Sequence, residues 1–353
     1  MEAALSGELP DDTRRKAQPI PGSIAVTKSG GRSVKRAGLD WESRIGRRFK
    51  LRDLYILLTT VQWGSMAKAA AHLGISQPAV SEAIADLEHT FRVRLLDRSS
   101  RGVEPTVYGR ALIKRGVAAF DELRQGVKEI EFLTDPTAGE LRIGTTETMA
   151  AGLIPAVIEP LSQQYPAVVF HVTQAPGVAQ QYRDLRERNV ELILGRMVTP
   201  VAEEDLDAEI LIDDPLCIVA GNQNHWVGRS GIQLADLVRE RWILPHPDSV
   251  IGSIVAGAFR DSGLEVPRTA VVSNSLQLEN SLLATGRYLG FFPASLIRFS
   301  GERLMIAELQ VKLPVSPPPV GIVTLKNRTI SPVARLFIDC ARSVVKPPAS
   351  ALS

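Results

Sequence analysis

Two helical patterns meet across residues 65–88 with only Gly74 and Ile75 between them, and this joint constrains the fold more than any other stretch. Ser65 stands where an N-cap opens the first helix, Ala69, Ala70 and Leu73 face inward along it, and Gly74 stops it. Ser76 caps the second helix, and Pro78 falls in its first turn, where a missing N–H costs nothing. Val80, Ile84 and Leu87 form its buried stripe. So short a gap suits two helices meeting at a steep angle rather than an antiparallel hairpin with a wide loop. The small alanines permit close approach, and Gln77, Ser81, Glu82 and Ala85 are left off the buried stripe.

The flanks extend the unit. Leu54, Leu57, Leu58 and Val61 recur at helical spacing and predict a helix upstream. Downstream, Val93 to Leu96 and Val103 to Pro105 are short extended pieces around a polar, basic turn, the layout of a wing. From Thr106 a helical pattern runs to about Phe132, with Leu112, Ala119, Leu123, Val127 and Ile130 along one side. At 1.5 Å per residue that helix is roughly 40 Å long, more than a small domain can cover. An overhanging amphipathic helix finds a partner helix, so dimerisation is expected there. Residues 134–139, TDPTAG, read as a hinge.

Residues 140–345 alternate strands and helices. Strands are expected at 140–144, 168–172, 191–195, 216–221, 288–292 and 320–325, and helices at 151–164, 275–285 and 331–345. Such alternation predicts an α/β fold with a mostly parallel sheet, and either one domain or two lobes fits the pattern. Residues 1–46 are rich in Gly, Ser, Pro, Lys and Arg without apolar periodicity, and are expected to be a disordered extension; 346–353 are a short tail.

Charge is uneven along the chain. Residues 1–115 hold 20 Lys and Arg against 12 Asp and Glu, whereas 116–353 hold 21 against 27. The basic excess therefore lies where a polyanion would use it. Cys217 and Cys340 are far apart with no metal-ligand spacing, as expected of structural thiols in a reducing cytosol. The opening MEAALSGELPDD lacks the layout of a signal peptide, and no apolar run approaches the roughly 20 residues that span a bilayer, so a cytoplasmic protein with no membrane partner is expected. The chain has no GxSxG, no GxGxxG after a strand, no P-loop and no HExxH, and its five histidines are scattered. No enzyme, cofactor or metal is expected.

Two helices joined by a tight turn place the second in a DNA major groove while the first crosses the backbone. On that reading Ser76, Gln77, Pro78, Ser81 and Glu82 present the reading face: Gln77 suits a bidentate contact to adenine, and Ser81 is short enough to lie against a base or a phosphate. Lys68, Arg98 and Arg101 suit phosphates or the minor groove.

The run Gly64-Ser65, Ala69-Ala70, Leu73, Ile75, Ser76-Gln77-Pro78-Ala79-Val80-Ser81, Ile84, Leu87-Glu88, Leu95-Leu96, Arg98, Gly102, Pro105-Thr106 and Gly109 resembles the N-terminal winged helix-turn-helix of LysR-type transcriptional regulators. Further on, GELRIGTTETMAAGLIP is similar to the opening strand and helix of that family's effector domain. VELILGRM resembles its next conserved strand, with Glu191 in the usual Asp place, and TGRYLGFFP resembles a third segment. The ILGRM run is similar to the branch containing the galactose-binding-protein regulators and some aromatic-acid regulators. The resemblance implies an α+β multidomain chain. It would comprise a winged helix-turn-helix over 47–106, a linker and dimerisation helix over 107–133, and a two-lobed α/β effector domain over 140–345 like type 2 periplasmic binding proteins, its second lobe at about 216–315. Glu82 departs from the pattern: many relatives carry Arg or Lys there, so a phosphate contact is lost and base preference altered, for example by accepting from a cytosine amine.

Ligands in open α/β sheets bind beyond the carboxyl ends of strands. Thr145, Thr146 and Thr148 follow the first strand, at a helix start that favours an anion or a polar oxygen, and the resemblance makes Thr146 and Thr148 first choices. Arg196 after the third strand suits a fork with a carboxylate, and Ser249, Ser273 and Ser275, with His246 behind them, are candidates from the second lobe. The implied function is regulation of transcription. A homodimer or homotetramer on double-stranded promoter DNA would respond to a small-molecule effector (a sugar, a sugar acid or an aromatic or organic acid) and contact RNA polymerase. The alternative is an effector-independent repressor or architectural DNA binder.

Overall fold

The computed structural model describes residues 46–99, 102–175, 177–197 and 203–346. Arg101, nearly all of the 1–46 extension and the tail beyond Lys346 lie outside the described residues. Two compact units divide between Gly109 and Arg110.

In the first unit a single turn, α1 (Gly46–Arg48), precedes α2 (Leu51–Trp63), α3 (Met66–Leu73) and α4 (Gln77–Phe91), and the hairpin β1 (Leu96–Ser99) and β2 (Gly102–Pro105) follows. Leu54, Ile56 and Leu57 of α2, Ala69 and Ala70 of α3, and Val80, Ala83, Ile84 and Leu87 of α4 make its core. Leu58, Val61 and Leu73, expected on the inward faces, are only half-buried. Gly74 takes the left-handed conformation, φ 65°, that ends α3 and turns the chain into α4. Ser76 Oγ accepts from Ala79 N–H at 3.3 Å and caps α4. Ser65 stands at the N-cap of α3 but makes no side-chain cap bond.

A continuous helix, α5 (Val107–Thr134), runs from the first unit into the second. The expected hinge is shorter than the sequence suggested, because α5 runs through Thr134 and the next strand begins at Ala138. Between them Asp135 Oδ1 accepts from Thr137 N–H at 2.9 Å and Thr137 Oγ1 at 2.6 Å, which holds its carboxyl below the usual range.

The second unit has two lobes, each built on a five-stranded sheet. One sheet runs β4 (Ala167–Gln174), β3 (Ala138–Thr145), β5 (Leu192–Arg196), β12 (Val320–Leu325), β6 (Leu206–Ile212). The other runs β11 (Ile306–Leu309), β7 (Leu216–Gly221), β10 (Leu289–Pro293), β8 (Trp242–Leu244), β9 (Thr269–Val272). Four of the five strands in each sheet run in one direction, in line with the expected mostly parallel arrangement, and one strand in each is reversed. In the first sheet β3 pairs parallel with β4 and β5, while β12 pairs antiparallel with β5 and β6. In the second, β8 pairs parallel with β9 and β10, while β7 pairs antiparallel with β10 and β11. The cause is connectivity. The chain leaves the first sheet by β6, enters the second by β7 and returns from β11 to β12; of these crossing strands β7 and β12 run against the βαβ strands beside them, while β6 and β11 at the edges run with them.

Helices α6 (Glu147–Ala151), α7 (Leu153–Gln164), α8 (Val178–Arg186) and α12 (Pro332–Val345) complete the first lobe, with Leu141, Ile143, Leu153, Val157, Leu194 and Phe337 in its core. Helices α9 (Val250–Asp261), α10 (Leu276–Leu283) and α11 (Ala294–Ser300) belong to the second, where Trp242 packs between Phe259 and Phe291 at ring distances of 5.6 and 5.1 Å.

The two sides of α5 differ. Asp121, 2 % exposed, accepts from Arg328 Nε at 2.8 Å and Nη2 at 3.1 Å and pairs with Arg188, while Lys128 lies 3.6 Å from the buried Glu191. Leu123, Val127, Ile130 and Leu133 are instead 51, 53, 65 and 75 % exposed. The side of α5 that docks on its own chain is thus polar, and the side left in water is apolar.

Candidate nucleic-acid interface and effector cleft

The first unit holds its reading face by backbone contacts that fix the wing to α4. Glu88 Oε1 accepts from Leu95 N–H at 2.7 Å and Leu96 N–H at 3.2 Å, tying the end of α4 to the start of β1. Thr106 Oγ1 donates to Arg94 O at 2.7 Å and accepts from Gly109 N–H at 3.0 Å, so it caps α5 and anchors it to the wing. Gly109 has no room for a side chain, because a Cβ would lie 2.0 Å from Leu95 O. Gly102, at φ 125°, similarly abuts Gly64 O, which accepts from Val103 N–H at 3.1 Å. The sequence singled out several of these positions without revealing that they organise backbone.

With the inner side of α4 in the core, its N-terminal turns are free. Ser76, Gln77, Pro78 and Glu82 are exposed and Ser81 is half-buried. Lys68 on α3 and Arg98 on β1 are exposed as well, and Arg98 Nη1 donates to Ser81 Oγ at 3.4 Å, bringing wing and reading helix together. This is a polar face on the N-terminal half of a helix beside a basic wing, the form that enters a major groove.

The second unit commits most of the expected effector residues to its own fold. Thr145, fully buried, donates from Oγ1 to Leu194 O at 2.8 Å and ties β3 to β5. Thr146 and Thr148 are half-buried, and their hydroxyl oxygens lie 3.3 Å apart. Arg196 donates to Asp214 Oδ2 at 3.0 Å and to Pro318 O at 2.9 Å, and burial pulls its pKa down against the opposing pull of Asp214. Ser249 caps α9, accepting from Gly252 N–H at 3.0 Å and donating to His246 O at 2.6 Å. Ser275 caps α10, and Ser273 Oγ accepts from Ser275 N–H at 2.9 Å. His246 is exposed, with Nδ1 3.6 Å from Asp248.

Asp214 escaped the sequence reading. It lies between β6 and β7, 2 % exposed, and takes Arg196 from the first lobe together with Ser295 N–H at 2.8 Å and Ser295 Oγ at 2.9 Å from the second. No local pattern marks it, since its partners are 18 and 81 residues away.

Between the lobes lies a cavity of about 310 Å³, lined by Glu147, Ala150 and Ala151 of α6, Gln174 at the end of β4, Leu276, Gln277 and Asn280 of α10, and Leu304. The lining begins one residue beyond Thr146 on one side and one beyond Ser275 on the other. Among the described residues no group of His, Cys, Asp and Glu is placed to hold a metal ion, and no helix is long and apolar enough to cross a membrane. Both cysteines are free thiols, and burial pushes Cys217 up to about 12.

A winged helix-turn-helix, a long helix and a two-lobed α/β unit with a cleft define a DNA-binding regulator rather than an enzyme. Comparison with known proteins agrees. Residues 51–110 match the bacterial regulatory helix-turn-helix of the lysR family and residues 134–346 match the LysR substrate binding domain, so the chain belongs to the LysR family of transcriptional regulators. It is 29 % identical over 298 residues to the HTH-type transcriptional regulator GbpR of Azospirillum brasilense, covering 84 % of this chain and 86 % of that one. It is 26 % identical over 297 residues to the HTH-type transcriptional regulator GalR of Pseudomonas putida, covering 84 % and 74 %. A solved full-length OxyR variant from Pseudomonas aeruginosa shares the fold at a TM-score of 0.60 and 20 % identity, over 84 % of this chain and 96 % of that one.

Proposed function

We propose that this regulator reads promoter DNA as a homo-oligomer and that a small organic molecule in the inter-lobe cleft changes how it does so. The observation that carries the proposal is the exposed polar face of α4, with Gln77, Ser81 and Glu82 directed away from a core that fixes the helix. Gln77 reads an adenine, Ser81 a neighbouring base or phosphate, and Glu82 a cytosine amine. Lys68, Arg98 and the N-terminal turn at Ser76 and Pro78 hold phosphates and set the register. The apolar stripe Ala119, Leu123, Val127 and Ile130 pairs two copies of α5, since so much exposed apolar surface along one helix calls for a partner helix. Two reading helices then meet half-sites about one helical turn apart or a multiple of it, and further assembly of dimers gives a tetramer. An effector that binds one lobe arrangement more tightly shifts the population and with it the DNA geometry or the contact to polymerase. Sugars, sugar acids and aromatic acids, the classes implied by the sequence resemblance, form the first test set.

Selection of duplexes from a random pool by the full-length protein tests the DNA arm. A motif with two-fold symmetry and half-sites at that spacing is expected, and a pool that enriches no motif would sink the reading. Binding should also weaken steeply as salt rises, because phosphate neutralisation releases counterions.

A further inference from the structure

The cavity between the lobes has a lopsided chemistry. Its polar lining is Glu147, Gln174, Gln277 and Asn280, and none of the described residues that line it is cationic. Asn280 Oδ1 is sealed from solvent and has no hydrogen-bond donor, a costly state for an acceptor. Glu279, beside Asn280 on α10 and next to the lining residues, feels the charge of Glu147 on α6. Arg196, the cation that would have met an acidic effector, is held by Asp214 and Pro318. The start of α6 already carries an acid of its own in Glu147.

We propose that the cleft takes a small organic amine, its ammonium lying against Glu147 from one lobe and Glu279 from the other and donating to Asn280 Oδ1. The proposal rests on the reading of this cleft as the effector site and names the class of molecule that fits it. An anionic ligand would add a second negative charge beside Glu147 in a partly desolvated site, whereas an ammonium supplies both the missing donor and the missing charge. The volume, about 310 Å³, is at the small end of ligand pockets, and Ala150, Ala151, Leu276 and Leu304 offer a short apolar wall for the carbon body. The device is also a switch, because a cation that draws Glu147 from one lobe and Glu279 from the other favours the arrangement in which the two approach. Burial and the charge of Glu147 push Glu279 up to about 8, so it holds its proton at neutral pH. An arriving ammonium turns it into a carboxylate and sends that proton to solvent.

The test uses the full-length protein in titration calorimetry and thermal melting. The probes are ethanolamine, putrescine, benzylamine and glucosamine, set against the neutral ethylene glycol, benzyl alcohol and glucose and the acids succinate, benzoate and gluconate. At least one amine is expected to bind and raise the melting temperature, while its neutral and acidic counterparts do not. Glu147→Gln and Glu279→Gln should each weaken that amine by about tenfold or more, the scale of a lost charge-assisted hydrogen bond. Both variants are near-isosteric, and their melts report folding directly. Calorimetry in two buffers of different ionisation enthalpy should show proton release in the wild type and none in Glu279→Gln. An acid that binds with affinity unchanged in both variants overturns the amine assignment and leaves the effector reading standing. Silence from all three classes overturns both.

Discussion

The winged unit and the inter-lobe cleft use their polar residues in opposite ways. In the winged unit these side-chain contacts are local and backbone-directed: Glu88 with Leu95 and Leu96, Thr106 with Arg94 and Gly109. They free the side chains at the start of α4 for a partner. In the second unit Thr145, Arg196, Ser249 and Ser275, the polar residues that stand out after strands and before helices, are bonded within the fold, and the cavity is lined by less conspicuous neighbours. A reading surface for a large, regular polymer rests on a short rigid motif. A cleft for a small molecule is assembled from distant segments, so its most conspicuous residues are those that assemble it.

Asp214→Ala should give the largest effect. It leaves the buried Arg196 guanidinium without its counter-charge and Ser295 without its acceptor, at a cost of about 3–5 kcal/mol. Chemical unfolding would show a destabilised second unit, with the first unit's transition unmoved. A loss below about 1 kcal/mol, the scale of an exposed ion pair, would mean that Asp214 is not the joint between lobes. Glu88→Gln comes next. Gln keeps an oxygen for the two N–H groups of the wing but loses the charge, which should cost the first unit about 1–2 kcal/mol, with the second unit's transition unmoved. Ser249→Ala should cost about 1 kcal/mol, the value of a helix cap, and leave any effector affinity unchanged. An effector lost with Ser249 would move the binding site toward α9.

A pH dependence stands apart from these substitutions, because it is read as a trend across a pH window. The Glu279 carboxyl is raised in the folded protein from its ordinary 4.5 to about 8, chiefly by burial and further by Glu147. As pH rises through this window the unfolded chain releases the proton first. The group's contribution is therefore complete below about 4.5 and is lost by the time pH passes about 8. The melting temperature of Glu279→Gln relative to wild type should climb across that window, whereas a flat difference would place Glu279 in water.

Legibility in sequence follows the same division. The helix-turn-helix could be read because its elements are adjacent and each step has a local cause: Gly74 must take a left-handed φ, Ser76 caps, and Val80, Ile84 and Leu87 share a stripe. Parts of the second unit were legible by alternation, but the one reversed strand in each sheet was not. Pairing of β12 with β5 and β6 joins residues more than a hundred apart, and β8 has only three residues. Arg196 looked like a free fork because Asp214 and Pro318 are remote in the chain. Glu147 and Asn280 gave no signal, since only the fold brings α6 and α10 to one cavity.

The central claim is that the exposed start of α4 reads bases while the rest of the first unit holds it in place. Competition binding of wild type and Gln77→Ala to a selected duplex and to a random duplex of equal length tests this most directly. The account predicts a loss of about 1–3 kcal/mol on the selected duplex and none on the random one. An equal loss on both would show that Gln77 only holds the backbone, and would contradict it.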